Sequence, residues 1–424
     1  MNAGPPIADI AHPATYARGV PHDEFARRRR EEPVGWVTEP ELVRRSAAGS
    51  TVQRGAGFWA VTTHAEIVDV SRRRDEFSSS RRGAFLVDPR TRADLERARQ
   101  LLVNMDAPQH TWIRRAVSPA FTPRAVQRLA ADVGEHARST VARAMAGDDI
   151  DLVRDLAAEL PLLVLADLLG LPPADRGLLL RWSNHLVGFD DPEFGGGDIE
   201  AYRRALGEAM AYAGALVRDR RRRPREDLVS ALVAAEVEGR RLTDAQLCQI
   251  WLLLIVAGNE TTRHLISGSL AILIGGTVDA HGPGAVEELL RLVSPILQFR
   301  RTATRDTTLA GTRIAEGDKV VLYFTSANRD ERVFTDPHRF RPDRPDNPHL
   351  AFGIGPHFCL GAHLARLELA ELLTAIRPYL PRLRLAGPVV RLQSNFVNGI
   401  KTMPAALAPP RPGRPAGERS VRHG

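Results

Sequence analysis

The chain has 424 residues, 43% of them hydrophobic, enough to bury a large core, and its 58 basic and 51 acidic residues leave a formal charge of +7. Lys319 and Lys401 are the only lysines, so the positive charge is nearly all arginine, clustered at 27–30, 72–74 and 218–225; without aromatic interleaving or a DNA-binding motif, these clusters read as solvated helix ends, not as a nucleic-acid surface. Cys248 and Cys359 are too few for a disulfide framework or a zinc site, and no run approaches the roughly 20 apolar residues of a bilayer span, so a cytoplasmic protein with no membrane anchor is expected.

Residues 1–19, opening MNAGPPIADIAHP, lack the basic and then apolar pattern of a signal peptide and are expected to form a flexible lead. GFWAVTTHAEIVDVS (57–71) passes from a short β pattern into a helix, and 78–104 reads as a long, Arg-rich loop of the kind that often carries function. From Asp106 to Ile274 apolar residues recur at three-to-four spacing, with breaks at Pro123, Gly170 to Pro173, Gly195 to Gly197 and Pro224. Ile296 to Val321 favours strands with turns at Ala310–Gly311 and Glu316–Gly317, 334–348 is a Pro- and Arg-rich coil, and a last helix runs from about Leu360 to Pro378. The tail, 408–424, is too poor in apolar residues to repay ordering and is expected to be disordered. With no repeat and no linker, 20–407 reads as a single α-dominated domain.

FGIGPHFCLGAHLARLE (352–368) sets Cys359 in a glycine-rich turn that leads into an amphipathic helix. Backbone N–H groups at a helix start face a negative group placed there and favour thiolate over thiol. Gly353, Gly355 and Gly361 let the backbone come close to a flat cofactor, and Phe352 can pack beside the sulfur. No protease signature surrounds the cysteine. Phe352, Gly355, Cys359 and Gly361 fill F-x-x-G-x-x-x-C-x-G, which resembles the haem-binding signature of the cytochrome P450 family. The resemblance implies a mainly α fold with small β-sheets and haem b, iron protoporphyrin IX, lying between a long central helix and the cysteine loop. It also makes the Cys359 thiolate the proximal iron ligand, whose electron donation favours O–O cleavage.

QIWLLLIVAGNETTRHLISGSLAILI (249–274) is apolar on nearly all sides, as a helix buried in the centre of a fold would be. Glu260 and Thr261 interrupt it. A buried, unpaired carboxylate costs several kcal/mol, so Glu260 needs either a partner, with Arg263 or another arginine available, or a task. Gly258 costs roughly 1 kcal/mol relative to alanine in a helix interior unless something must approach closely. Ala257-Gly258-Asn259-Glu260-Thr261-Thr262 is similar to the family's oxygen-activation motif. That likeness implies that the small residues open space above the haem, that Thr261 holds the activated oxygen and its waters, and that Glu260 passes protons inward from solvent. Glutamate stands where the family more often has aspartate, and the intact acid–alcohol pair argues against a peroxide-driven relative.

Glu288 and Arg291 lie at i and i+3, by themselves a common surface pair. Followed by HRFRPDRP (338–345) and the cysteine loop, they resemble the family's E-x-x-R motif, which implies a lock to a downstream arginine, Arg341 or Arg344. His110 and Arg114 share a helix face. With Arg301 and His357 they match the family's usual contacts to the haem propionates, a task that suits arginine because it is always charged and bidentate. The likeness covers about Val20 to Pro404. Between Ile274 and Glu287 only GGTVDAHGPGAV remains, shorter than is usual in the family, which puts one peripheral helix in doubt.

Substrate is expected among segments that match the family's recognition regions, represented by Phe85, Leu102, Val187, Leu254, Leu297, Phe299, Phe396 and Val397, with Ala257 beside them. Such a lining contributes about 25 cal/mol per Å² buried and discriminates poorly, so it implies a lipophilic small molecule. The resemblance implies a monooxygenase that inserts one atom of O2 by hydroxylation or epoxidation. VAGNETTRH and SNFVNGIKTMP look like actinobacterial members that oxidise sterols and methyl-branched lipids, while the short connection tilts the reading toward tailoring of secondary metabolites. No flavin or NAD(P)H-binding stretch is present, so electrons are expected from a separate ferredoxin and ferredoxin reductase, docked near Arg115 and Arg366 on a monomer. Two other readings stay open: an oxidase that couples or desaturates without oxygen insertion, and a haem-binding sensor without turnover, which the intact acid–alcohol pair opposes.

Overall fold

The computed structural model describes residues 9–274 and 282–409. Strands β1 (Val34–Val37) and β4 (Phe58–Val61) flank a hairpin of β2 (Leu42–Ser46) and β3 (Gly49–Gln53), and helix α1 (His64–Arg72) follows, as the change of period at 57–71 predicts. After β5 (Phe77–Ser78) the chain becomes helical: α2 (Gln109–Val117), α3 (Ala130–Met145), α4 (Glu159–Leu168), α5 (Arg176–Val187), α6 (Ile199–Arg222) and α7 (Asp244–Leu273). Beyond these lie α8 (Gly282–Val293), β6 (Gln298–Ala303), β7 (Lys319–Tyr323), α9 (Ala362–Ile376) and a hairpin of β8 (Val390–Arg391) and β9 (Ile400–Thr402).

α7 organises the helical part. It begins at a reciprocal cap, in which the Thr243 hydroxyl accepts from the Gln246 N–H and the Gln246 side chain accepts from the Thr243 N–H. Its 30 residues pack against α4, α5, α6, α8 and α9, so side chains on most of its circumference are buried, which is why the sequence shows no polar face there. The five-stranded sheet has the order β1-β4-β7-β6-β5, with β4 and β7 parallel and the other neighbours antiparallel. Turns fall where the sequence places them, with Ala310, Gly311 and Gly317 all at positive φ.

Two expectations need correction. The 78–104 segment is not unbroken loop: Arg92–Ala98 is a helix whose Thr91 and Asp94 form a capping box, a signal that the run of arginines obscured. The lead is not flexible up to residue 19 either. Ile10, Ala11 and Tyr16 are buried, and the Ile10 carbonyl accepts from the hydroxyls of both Tyr16 and Tyr323, so the described residues from 9 onward belong to the fold. The short connection after Ile274 lies mostly, and the 408–424 tail almost entirely, outside the described residues.

Glu288 and Arg291 are not a surface pair. Both are fully buried, the two carboxylate oxygens accept from Arg291 Nη2 and Nε at 2.7 and 2.8 Å, and the other Arg291 amine reaches the carbonyls of Asn328 and Pro337. Of the two candidate partners, Arg344 brings its guanidinium to Glu288 at 3.2 Å, whereas Arg341 contributes only its backbone N–H and turns its side chain toward Asp336 and Asp343. Phe334 lies under both guanidiniums. Removing the acid would leave two buried cations unpaired, so Glu288→Ala is expected to lower the unfolding free energy by about 3–5 kcal/mol in urea titrations, and a loss under about 1 kcal/mol would contradict a closed lock.

Candidate active site

The cysteine loop is held at both ends. The Cys359 N–H donates to the Phe352 carbonyl at 2.9 Å, and α9 begins three residues beyond the sulfur. Gly355, at φ +75, needs its missing side chain, because a Cβ there would lie 2.9 Å from the Ser71 carbonyl at the end of α1. Gly353 also sits at positive φ, but Gly361 meets neither condition. The Phe352 ring is covered by the Arg366 guanidinium at 4.6 Å.

The sulfur is accessible at its own surface yet lies deep in the chain. Burial is the largest influence and pushes the Cys359 thiol above its ordinary value, while the Gly361 N–H and the charges of Arg114 and Arg366 pull the other way. The Gly361 N–H at the helix start favours the thiolate, as expected, but burial outweighs it. A cation bound to the sulfur would favour the thiolate.

Beside the loop, basic side chains from three elements meet. The His110 and His357 rings lie tilted against each other with centroids 4.3 Å apart, Arg114 donates to the Phe358 carbonyl at 2.6 Å, and Arg301 on β6 donates only to the neighbouring carbonyl of Arg300. Neither arginine has a carboxylate partner among the described residues, although Arg301 is 7% exposed. Burial, with mutual repulsion, lowers the pKa of His110 to about 4 and of His357 to about 3, and burial brings Arg301 down to about 10. The nearby Asp106 offers no pairing, because its oxygens accept from Ser78, Ser79 and Ser80, which in turn fixes Ser79 against the His357 ring at 3.2 Å. Asp106 and Ser79 escaped the sequence reading, since nothing in their spacing signals this contact.

On α7 the residues Leu254, Ala257, Gly258 and Thr261, at i, i+3, i+4 and i+7, form one face that stays partly or fully uncovered in the middle of an otherwise buried helix. A Cβ on Gly258 would stand 3.5 Å from Leu165, an ordinary contact, so packing against α4 does not demand glycine. A bare sulfur, a cluster of cationic donors lacking an anion, and an uncovered face built around alanine and glycine together fit a haem: one ligand for iron, counter-charges for two propionates and a flat apolar seat.

Glu260 points away from that face. It is 2% exposed and accepts from Ser183 Oγ on α5 at 2.7 Å, from Arg263 Nη1 at 3.1 Å and from His264 Nε2 at 3.1 Å. Burial alone would raise its pKa, but Arg263, then His264 and Ser183, outweigh this and hold the carboxyl down to about 2. The partner reading of Glu260 holds: Arg263, His264 and Ser183 satisfy the carboxylate. Ser183 is 77 positions from Glu260 and gave no sequence signal, whereas His264, one turn along the helix, could have been found by spacing. The Thr261 hydroxyl donates to the Ala257 carbonyl one turn back.

The expected lining separates into groups. Phe85, Phe299 and Phe396 converge with centroids 5.2 to 6.1 Å apart, from a loop, a strand and the β8–β9 hairpin. Leu297 and Val397 are wholly covered and stand behind that wall, not on it: the Leu297 N–H donates to the Phe396 carbonyl and Val397 bridges to Ile296. Leu102 and Leu254 belong to a second apolar cluster, and Val187, half-buried at the end of α5, joins neither. Arg115 and Arg366 do not present free charge, because Arg115 pairs with Glu238 at 2.7 Å and Arg366 binds Glu287 at 2.7 and 2.8 Å.

A family model described as Cytochrome P450 matches residues 283–377. Over 393 residues, 90% of this chain and 89% of the relative, the chain is 39% identical to a steroid C26-monooxygenase of Mycolicibacterium smegmatis. The chain belongs to the cytochrome P450 family. A methyl-branched lipid omega-hydroxylase of Mycobacterium tuberculosis is likewise 39% identical, over 90% of this chain and 89% of its own. A cytochrome P450 of Mycobacterium marinum, solved with pseudoionone, superposes with a TM-score of 0.84 at 37% identity, covering 96% of this chain and all of that one. The protein is therefore a haem b monooxygenase acting on lipophilic substrates. Among the described residues, no helix is long and apolar enough to cross a membrane.

For this P450, Arg301→Leu is expected to speed haem transfer to a scavenging apoprotein roughly tenfold or more, because a charge-assisted hydrogen bond contributes about 1.5–3 kcal/mol. An unchanged rate would remove Arg301 from the propionate contacts.

Proposed function

We propose that this P450 hydroxylates an aliphatic carbon of a steroid-like or methyl-branched lipid, as a cytoplasmic monomer supplied with electrons by a ferredoxin and its reductase. The observation that carries the reading is the aromatic wall of Phe85, Phe299 and Phe396, three rings from three separate segments within 6.1 Å of one another. Such a wall selects for apolar shape and offers no hydrogen bond to fix a polar group. The similarity to a steroid C26-monooxygenase and a methyl-branched lipid omega-hydroxylase supports the same choice, and outweighs the short connection that favoured metabolite tailoring.

In this proposal Cys359 binds the iron, His110, Arg114, Arg301 and His357 hold the propionates, and Ala257 with Gly258 leaves room over the ring. Haem, when bound, supplies oxygen activation and redox chemistry. Thr261 sits on the uncovered face with its hydroxyl proton resting on the Ala257 carbonyl, ready to be turned toward a reacting oxygen. Glu260, one residue back and facing the other way, stays ionised at neutral pH and meets the Ser183 hydroxyl of α5, from which side a proton would arrive. Positioned proton transfer of this kind typically contributes about 100-fold or more to a rate.

The test is turnover under labelled dioxygen with a ferredoxin system and a panel of sterols and branched fatty acids. A hydroxylated product carrying one labelled atom is expected, and unlabelled dehydrogenated or coupled product from every member would contradict the proposal. Thr261→Ala is expected to keep consuming electrons while product per electron falls steeply. Unchanged coupling would remove Thr261 from the proton path.

A further inference from the structure

His264 lies one turn beyond Glu260 on α7 and is fully buried. Its Nε2 is 3.1 Å from Glu260 Oε2, and its Nδ1 is 3.3 Å from the backbone nitrogen of Ile400 at the start of β9. A backbone N–H can only donate, so Nδ1 is the bare nitrogen and Nε2 carries the hydrogen toward the carboxylate. The tautomer is thus fixed from the β9 side. Gly399 makes the approach possible, because a Cβ there would stand 2.9 Å from both Cε1 and Nε2 of the ring. The Leu392 N–H closes the hairpin on the Gly399 carbonyl at 3.0 Å. Three residues before Gly399 is Phe396, whose ring packs on Phe85 and Phe299 and whose carbonyl accepts from Leu297.

We propose that His264 is a positioning residue that ties the Glu260 carboxylate to the substrate wall through the 396–400 segment. A molecule that packs well against Phe396 holds this segment, the imidazole and the acid in register; one that packs poorly loosens all three, and electrons are then lost without product. The inference rests on the reading of Glu260 as the proton-handling acid. The charged or titratable groups facing the pair are Arg263 and the two residues themselves on α7. α5 contributes the Ser183 hydroxyl and the Asn184 amide, β9 contributes a backbone N–H, and Lys401 turns instead to Asp191 and Glu193.

Removing the imidazole donor takes away one of the influences that hold the Glu260 carboxyl low, so its pKa rises and the acid limb of the kcat profile moves to higher pH. In His264→Phe, haem-loaded and substrate-bound, kcat and coupling are expected to fall several-fold with KM nearly unchanged, and His264→Asn, which retains a short donor, is expected to recover part of the coupling. Independently of turnover, 15N spectra of labelled histidine in the ferrous carbon monoxide form are expected to show His264 neutral with hydrogen on Nε2 from pH 6 to 9. A hydrogen on Nδ1, a charged ring, or a Phe variant with wild-type coupling and pH profile would overturn the proposal. Glu260→Gln separates the two levels: if it leaves coupling intact, the reading of the acid fails; if it abolishes coupling while His264→Phe does not, only the role of His264 fails.

Discussion

Four basic side chains, His110, Arg114, Arg301 and His357, converge from a helix, a strand and the cysteine loop without a carboxylate among them, and the site depends on this imbalance. Desolvation, with repulsion from the neighbouring arginines, lowers the pKa of both histidines, and desolvation alone lowers that of Arg301. The nearby Asp106 is committed to three serines and places Ser79 against His357. The two arginines of this cluster would suit an anion of two charges, such as the propionate pair of a haem. At Cys359 burial pushes the thiol above its ordinary value, an effect that a cation on the sulfur would oppose.

Two buried glutamates show how one chemical group is put to opposite uses. Glu288 receives two guanidiniums, an amide and a backbone N–H, three of these four donors coming from the 334–348 coil, so removing the acid would leave buried charge unpaired. Glu260 receives only one guanidinium, helped by a hydroxyl and a neutral imidazole, each from or tied to a different wall of the active site. The first ties α8 to the 334–348 coil; the second joins α7 to α5 and, through His264, to the β8–β9 hairpin. In the proposed function, stability and proton handling would then rest on separate acids.

The cysteine loop, the acid–alcohol pair and the E-x-x-R lock were legible because their chemistry needs residue types at short, fixed spacing. Long-range partners were not legible in the same way. Arg344 rather than Arg341 meets Glu288 with its side chain because of how the coil folds, and Ser183 meets Glu260 because α5 crosses α7. Leu297 and Val397 are apolar and in the expected segments, yet both are buried where the chain before β6 meets the β8–β9 hairpin, a contact between distant segments that composition does not carry. The helix at Arg92–Ala98 was hidden by its charge although its capping box was visible.

Everything in this account turns on a thiolate from Cys359 reaching the iron. The most direct measurement is the absorption of the reduced, haem-loaded protein under carbon monoxide. The red-shifted Soret band of thiolate-bound haem is predicted; an ordinary imidazole-type band from correctly folded protein would contradict the assignment, and with it the reading of the cluster and the acid built around that sulfur.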